Sequence, residues 1–152
     1  MMISIKTKIP PPLVALTFGI LVIYSKSIFP KIEIGWGGFF GSFMIIIGLI
    51  IILSAIIQFK KYKTTITPLN PLNATKLIVH GIYKFSRNPM YLGLLLILSG
   101  ISIIQNPIGG LLFVPSFILY INQFQIIPEE SAMLDLFKDD FLKYKENVRR
   151  WI

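Results

Sequence analysis

Residues 87–130 read RNPMYLGLLLILSGISIIQNPIGGLLFVPSFILYINQFQIIPEE. Two apolar runs, about 90–104 and 108–127, flank Asn106-Pro107, a pair that marks a turn. Polar clusters close both ends, Arg87-Asn88-Pro89-Met90-Tyr91 at the entry and Pro128-Glu129-Glu130 at the exit. From Tyr91 to Pro107 is 16 residues, and from Pro107 to Glu129 is 22. At a helical rise of ~1.5 Å per residue the chain travels roughly 24 Å out and roughly 33 Å back. The hairpin therefore returns both clusters to the same side of an apolar layer.

The rest of the chain has the same character. Of 152 residues 54% are hydrophobic and 14% charged, and the mean hydropathy is +0.72. A soluble domain is nearer a quarter charged, so the bilayer is the expected solvent. Two further runs can cross it, about 12–29 and 36–59, giving an all-α integral membrane domain of about four helices over residues 1–152. The first run follows Lys6 and Lys8 but has no small-residue cleavage site after it, and reads as a retained span. The run at 90–104 is short for a full crossing.

The net charge of +8 raises the question of nucleic acid, but its placement answers otherwise. Lys60, Lys61, Lys63, Lys76, Lys84 and Arg87 crowd the loop at 60–89 without an acid, as expected of a cytoplasmic loop facing anionic lipid. By that bias both termini are cytoplasmic, the membrane is the plasma or inner membrane, and the lipid bilayer rather than nucleic acid is the partner. Cysteine is absent and His80 is the single histidine, so neither a thiolate nor a His-based metal site is expected. Oligomeric state is not legible. Gly37 and Gly41 form a GxxxG spacing that serves helix packing within one chain as well as between two.

After Ile127 the pattern changes. Leu134, Phe137, Phe141, Tyr144, Val148 and Trp151 recur at steps of three and four, predicting an amphipathic helix over 128–152. Pro128 suits its first turn, Glu129 and Glu130 its positive dipole end, and Arg149 and Arg150 its other end. Asp139–Lys143 and Glu146–Arg150 stand at i,i+4 spacing for ion pairs.

Each cluster has a structural and a functional reading. Glu129 and Glu130 are a helix N-terminal acid pair, or carboxylates that hold the polar groups of a ligand. Arg87, Pro89 and Tyr91 are a membrane anchor, a helix opener and a belt aromatic, or three walls of a pocket. The non-helical backbone of residues 64–81 must lie outside hydrocarbon or line a polar cavity.

The order of the parts carries a resemblance. LIVHGIYKFSRNPMYLG (77–93), then NP (106–107), PEE (128–130) and FKDDFLKYKENVRRWI (137–152) resemble the isoprenylcysteine carboxyl methyltransferases and related phospholipid methyltransferases. That pattern is Gly-x-Tyr, Arg-His-Pro-x-Tyr-x-Gly, a helical hairpin, Glu-Glu and Tyr-x-x-x-Val-x-Arg, and it covers roughly residues 66–152. The resemblance implies a cytoplasmic pocket for S-adenosylmethionine, made by loop 60–89, the hairpin ends and the C-terminal helix. It assigns Leu77, Ile78, Tyr83, Arg87, Asn88, Pro89, Met90, Tyr91, Glu129 and Glu130 to the cofactor. It also makes Glu129, Glu130 and Arg149 the candidate catalytic groups, and Gln125 and Arg150 candidate contacts to a lipophilic or amphiphilic acceptor. Asn88 stands where those enzymes carry histidine, and Gln125 where they carry an arginine, so a carboxylate acceptor lacks its partner there.

Two rival classes are carried forward. Membrane sterol and enone reductases share the C-terminal pattern but use NADPH. A non-catalytic adaptor or small exporter needs no site, although an exporter is expected to carry a membrane-embedded acid, and the three later runs contain none.

Overall fold

The computed structural model describes residues 9–30, 32–62 and 75–152, which form helices joined by turns and short extended segments, with no strand among them. Helix α1 spans Pro11–Tyr24 and ends in a 3₁₀ turn, Ser25–Ser27; α2 spans Gly37–Tyr62. A second 3₁₀ turn, Gly81–Lys84, precedes α3 (Pro89–Gln105). Helix α4 (Pro107–Ile121) continues through a π turn, Asn122–Ile126, into α5 (Ile127–Asn147). Lys6, Lys8, Lys31, Lys63 and loop residues 64–74 lie outside the described residues.

Local chemistry sets the starts. Proline opens α1, α3 and α4, where a missing N–H costs nothing; Pro128 instead follows the π turn inside a continuing helix. Asn106, fully buried, is the hinge between α3 and α4. Its Oδ1 accepts from the N–H groups of Ile108 (3.1 Å) and Gly109 (3.2 Å), and its Nδ2 donates to the Phe29 carbonyl (3.3 Å). The predicted turn is therefore also a helix cap.

The most extensive helix pair is α2 with α3. It is built on two glycine pairs in antiparallel register, Gly41 opposite Gly100 and Gly48 opposite Gly93. A Cβ at Gly48 would lie 2.6 Å from the Gly93 carbonyl oxygen, one at Gly93 would lie 2.6 Å from that of Gly48, and one at Gly41 would lie 2.7 Å from that of Gly100. Backbone meets backbone, the arrangement by which small residues bind apolar helices without a hydrophobic drive. Gly41 of the GxxxG pair is thus spent inside the chain, and the interface repeats every seven residues rather than every four.

On its other side α3 packs against α1 and α4. Val14, Val22, Leu98, Phe117, Ile121 and Ile126 form the buried core, closed edge-on by Phe18 against Phe117 at 5.8 Å. Helix α2 turns Phe39, Phe40, Phe43, Ile46, Ile50, Leu53 and Ile57 outward, each more than half exposed. An uninterrupted apolar face of this kind calls for lipid rather than water. Two helices are long and apolar enough to cross a bilayer, α2 and Pro107–Asn147, which is kinked at Lys138; α1 and α3 are apolar but shorter.

The C-terminal expectations need three corrections. No turn separates the fourth run from the tail: the Ile127 N–H donates to the Asn122 carbonyl, and this π geometry carries the helix past Pro128. The predicted helix over 128–152 is broken at Lys138 (φ 43, ψ −116) and ends at Asn147, because Val148 turns extended. Val148 and Trp151 therefore leave the apolar stripe, although Trp151 still packs on the core. Glu146–Arg150 does not pair either, since an extended backbone after Asn147 breaks the i,i+4 spacing.

If the glycine contacts hold α2 to α3, Gly48→Ala and Gly93→Ala will each destabilise the protein by about 1–3 kcal/mol. Gly38→Ala, with nothing within 4 Å of the new methyl, will be neutral or slightly stabilising. Denaturant unfolding in detergent micelles checks both.

Candidate functional site

The end of the bundle where α1 and α3 begin and α4 finishes gathers most of the polar residues singled out in the sequence. Glu130 is its hub. Arg150 grips both carboxylate oxygens, Nε to Oε1 at 3.1 Å and Nη2 to Oε2 at 2.7 Å, and Arg87 Nη2 reaches Oε1 at 2.9 Å. The Arg87 and Glu130 side chains are only 8% and 13% exposed, whereas Arg150 is 34% exposed. Burial by itself would raise the Glu130 carboxyl. The hydrogen bond from Arg150 and the charges of Arg87, Arg150 and Lys145 outweigh it and hold the group below its usual range. The same contact raises Arg150.

Glu129 sits in a different environment. It accepts the hydroxyl hydrogen of Tyr91 and has no guanidinium beside it. Burial pushes its carboxyl up to about 7, the Tyr91 hydrogen bond lowering it and the Glu130 charge raising it further. Adjacent carboxylates thus differ in kind, one locked as an anion and one poised near neutrality.

The chain after Asn147 is strapped across the RNPMY motif. The Arg87 N–H donates to the Arg149 carbonyl (3.1 Å), and Asn88 Nδ2 (3.0 Å) and Ser86 Oγ (3.4 Å) donate to that of Arg150. Arg87 Nη1 donates to the Lys145 carbonyl at 3.1 Å. Asn88 thereby acts as a strap anchor at the position where histidine was the reference. Arg149 presents its backbone to the strap while its side chain points to solvent.

Beside the strap lies a cleft of about 590 Å³ between the segment before the second 3₁₀ turn and the last part of α5. Its walls are Leu77, Val79, Tyr144 and Val148, and its polar lining is Lys84, Asp140, Lys143 and Asn147. Tyr144 donates to the Tyr83 carbonyl at 2.6 Å, and Glu129 is close enough to Tyr83 for its charge to help raise that phenol, after burial and the Tyr144 effect. Tyr83 thus adjoins the cleft through its hydrogen bond with Tyr144. Gly81 begins this turn at φ +62, where its missing Cβ also leaves room for Gln58 of α2.

Of the residues expected at a cofactor, only Leu77 lines this cleft. Ile78, Tyr83 and Met90 instead pack with Ala55 and Phe59 of α2, Pro89 is buried at the start of α3, and Arg87, Asn88, Tyr91, Glu129 and Glu130 form the neighbouring network. Gln125 faces away from all of them. Fully buried in the π turn, it donates Nε2 to the Ile9 carbonyl at 2.7 Å and so ties down the chain before α1. Val79, Lys84, Asp140, Lys143, Asn147 and Ser86 were not anticipated. A signal for most of them exists: 77 and 79 alternate about buried Ile78, and 140, 143, 144 and 147 form one helical stripe.

Fold and site together define a small helical membrane protein whose chemistry-bearing groups collect at one end of its bundle. The chain belongs to the phospholipid methyltransferase family, whose model matches residues 36–140. Protein-S-isoprenylcysteine O-methyltransferase A of Arabidopsis thaliana is 32% identical over 115 residues, 74% of this chain and 57% of the plant protein, so the chain spans less than two thirds of that relative. An uncharacterized protein of Haemophilus influenzae is 46% identical over 63 residues, 41% of this chain and its own full length. No solved structure matches.

Two measurements test the network. Glu130→Ala leaves the buried Arg87 without a counter-ion and will cost about 3–5 kcal/mol, read by denaturant unfolding; Arg150→Ala, at a more exposed position, will cost less. For Glu129 the folded carboxyl lies above its ordinary 4.5, so the folded state holds a proton that the unfolded state releases between pH 4.5 and about 7. Stability from this group is full below that window and falls as pH rises through it. Glu129→Gln will abolish that fall, which is measured as the wild-type minus variant difference in unfolding free energy across pH 4–8.

Proposed function

We propose that this protein is an integral membrane methyltransferase that takes its methyl group from S-adenosylmethionine and passes it to a lipophilic or amphiphilic acceptor entering from the bilayer. Family membership supports methyl transfer. The observation that carries the rest is the position of the cleft, at the polar end of an apolar bundle and beside the strap fastened by Arg87, Asn88 and Arg150. Its volume and its mixed apolar and charged lining suit a cofactor of this size. The lysine bias of residues 60–87 supports a cytoplasmic location for this end, and on that reading all four helical arms of the bundle sit in the membrane.

S-adenosylmethionine supplies a methyl group on a sulfonium, which an acceptor takes by in-line displacement as the thioether departs. The protein's task is alignment and exclusion of water. Leu77, Val79 and Val148 would hold the adenosyl body, and the strap fastened by Arg87, Asn88 and Arg150 would keep the neighbouring cleft wall in place. An acceptor carboxylate attacks without losing a proton, whereas an amine or thiol must give one up. Glu129 is the group suited to receive it, since a base works best with a pKa near ambient pH, while Glu130 is held ionised by two arginines. Tyr91 orients Glu129 through their hydrogen bond.

The test is calorimetric titration of S-adenosylmethionine into detergent-purified protein, followed by transfer of labelled methyl into a total lipid extract. Binding by wild type, retained in Glu129→Gln while transfer falls about 10²–10⁴-fold, is the expected result for an amine or thiol acceptor; unchanged transfer identifies a carboxylate acceptor. Folded protein that ignores S-adenosylmethionine but is stabilised by NADPH would make it a reductase instead.

A further inference from the structure

The helix that carries Glu129 and Glu130 is not α-helical throughout. Between α4 and α5 lies the π turn Asn122–Ile126, in which the Ile127 N–H reaches back five residues to the Asn122 carbonyl. A π turn is one residue longer than the α turn it replaces, so it acts as an insertion. Every side chain after it is set back by one residue of helical rotation, about 100°. The acid pair follows directly.

With the turn in place, Glu129 takes the Tyr91 hydroxyl and Glu130 takes Arg87 and Arg150. Were the helix α throughout, each residue would move into the direction its successor now holds. Glu129 would face the two arginines, Pro128 would face Tyr91, and Glu130 would turn away from both. The network needs the extra residue.

Two features hold the turn. Pro128 has no N–H, and in an α-helix its ring would press on the carbonyl of Phe124, four residues back. Yet Pro115 stands inside α4 with no π turn beside it, so proline alone does not demand one. The second feature is Gln125, fully buried in the turn, whose Nε2 donates to the Ile9 carbonyl at 2.7 Å. Its Oε1 and the Oδ1 of Asn122 are buried with no hydrogen-bond partner among the described residues. Burying such groups is costly, and an apolar side chain of the same length would avoid the cost at 125. It would also lose the bond to Ile9.

We infer that Gln125 is a positioning residue: by anchoring the π turn to the chain before α1, it sets the rotation that gives Glu129 to Tyr91 and Glu130 to the arginines. Its effect on methyl transfer rests on the reading above, whereas its effect on helix register does not.

The test uses the full chain in micelles. A double-mutant cycle of Tyr91→Phe and Glu129→Ala, read by denaturant unfolding, reports whether the two side chains meet. In wild type the two substitutions will be non-additive. In Gln125→Met, similar in size but without a donor, they will become additive. Methyl transfer will fall about 10²-fold in that variant, the scale of a misplaced reacting group. Deleting Gln123, the exposed residue of the π turn, from the Gln125→Met protein will restore the rotation, and with it both coupling and transfer. A residue that only stabilised the fold would not be rescued by a deletion. Should Gln125→Met not fold, deletion of Gln123 alone decides: retained coupling supports the inference, and lost coupling overturns it. Coupling that persists in Gln125→Met means that Pro128 holds the turn unaided, and overturns the inference. So does coupling that the deletion fails to restore, or additivity in wild type. If wild type couples the pair but transfers no methyl group, the methyltransferase reading fails and the role of Gln125 in register is judged by the cycles alone.

Discussion

Glu130 joins three parts of the chain that are far apart in sequence: the entry to α3 through Arg87, the start of α5 through its own backbone, and the C-terminal strap through Arg150. Two guanidinium groups around one largely buried carboxylate leave little freedom. Arg87 needs the anion because water reaches it poorly, and the anion, itself largely buried, is neutralised by both cations. The same contact makes Arg150 hold the strap where its carbonyl can receive Asn88 and Ser86. Cleft wall, strap and hairpin ends are consequently one mechanical unit.

Beneath that unit the bundle is held by a different physics. In an apolar solvent, burial of leucine gains little, and helices associate where backbones come close. Gly48 against Gly93 and Gly41 against Gly100 give that closeness between α2 and α3. The contact leaves the aromatic face of α2 outward and brings its end, with Ala55 and Phe59, beneath Ile78 and Tyr83. Glycine packing in the apolar layer thus helps to set the floor on which the site is built.

The contrast between the two neighbouring carboxyls follows from one residue of helical rotation. Glu130 turns toward the arginines and the strap. Glu129 turns toward Tyr91 and the packed interior, where burial disfavours its charge. Pairs of titratable groups pushed apart in this way are where acid–base roles divide, and here the division comes from which elements pack on each face.

Much of this was legible in the chain itself. The hairpin of 87–130 required its ends to meet, because helical rise and an Asn-Pro turn leave no other path, and the ordered motifs pointed to a methyltransferase family. Apolar content pointed to a membrane environment. Other features followed only from long-range contact. Spacing predicted helix through 152, but Arg87, Asn88 and Ser86 take the backbone carbonyls of 149 and 150, which competes successfully with the helix. That Gln125, read as an acceptor contact, is tied to the Ile9 carbonyl followed only from the π turn. The cleft joins residues 77–84 to residues 140–148, and no local rule pairs them. Periodicity and charge bias act over a turn or a span, so the sequence alone determined the helices, their solvent and the meeting of their ends. Which charges neutralise one another and which remain at the cleft depends on side chains that only tertiary packing brings within reach.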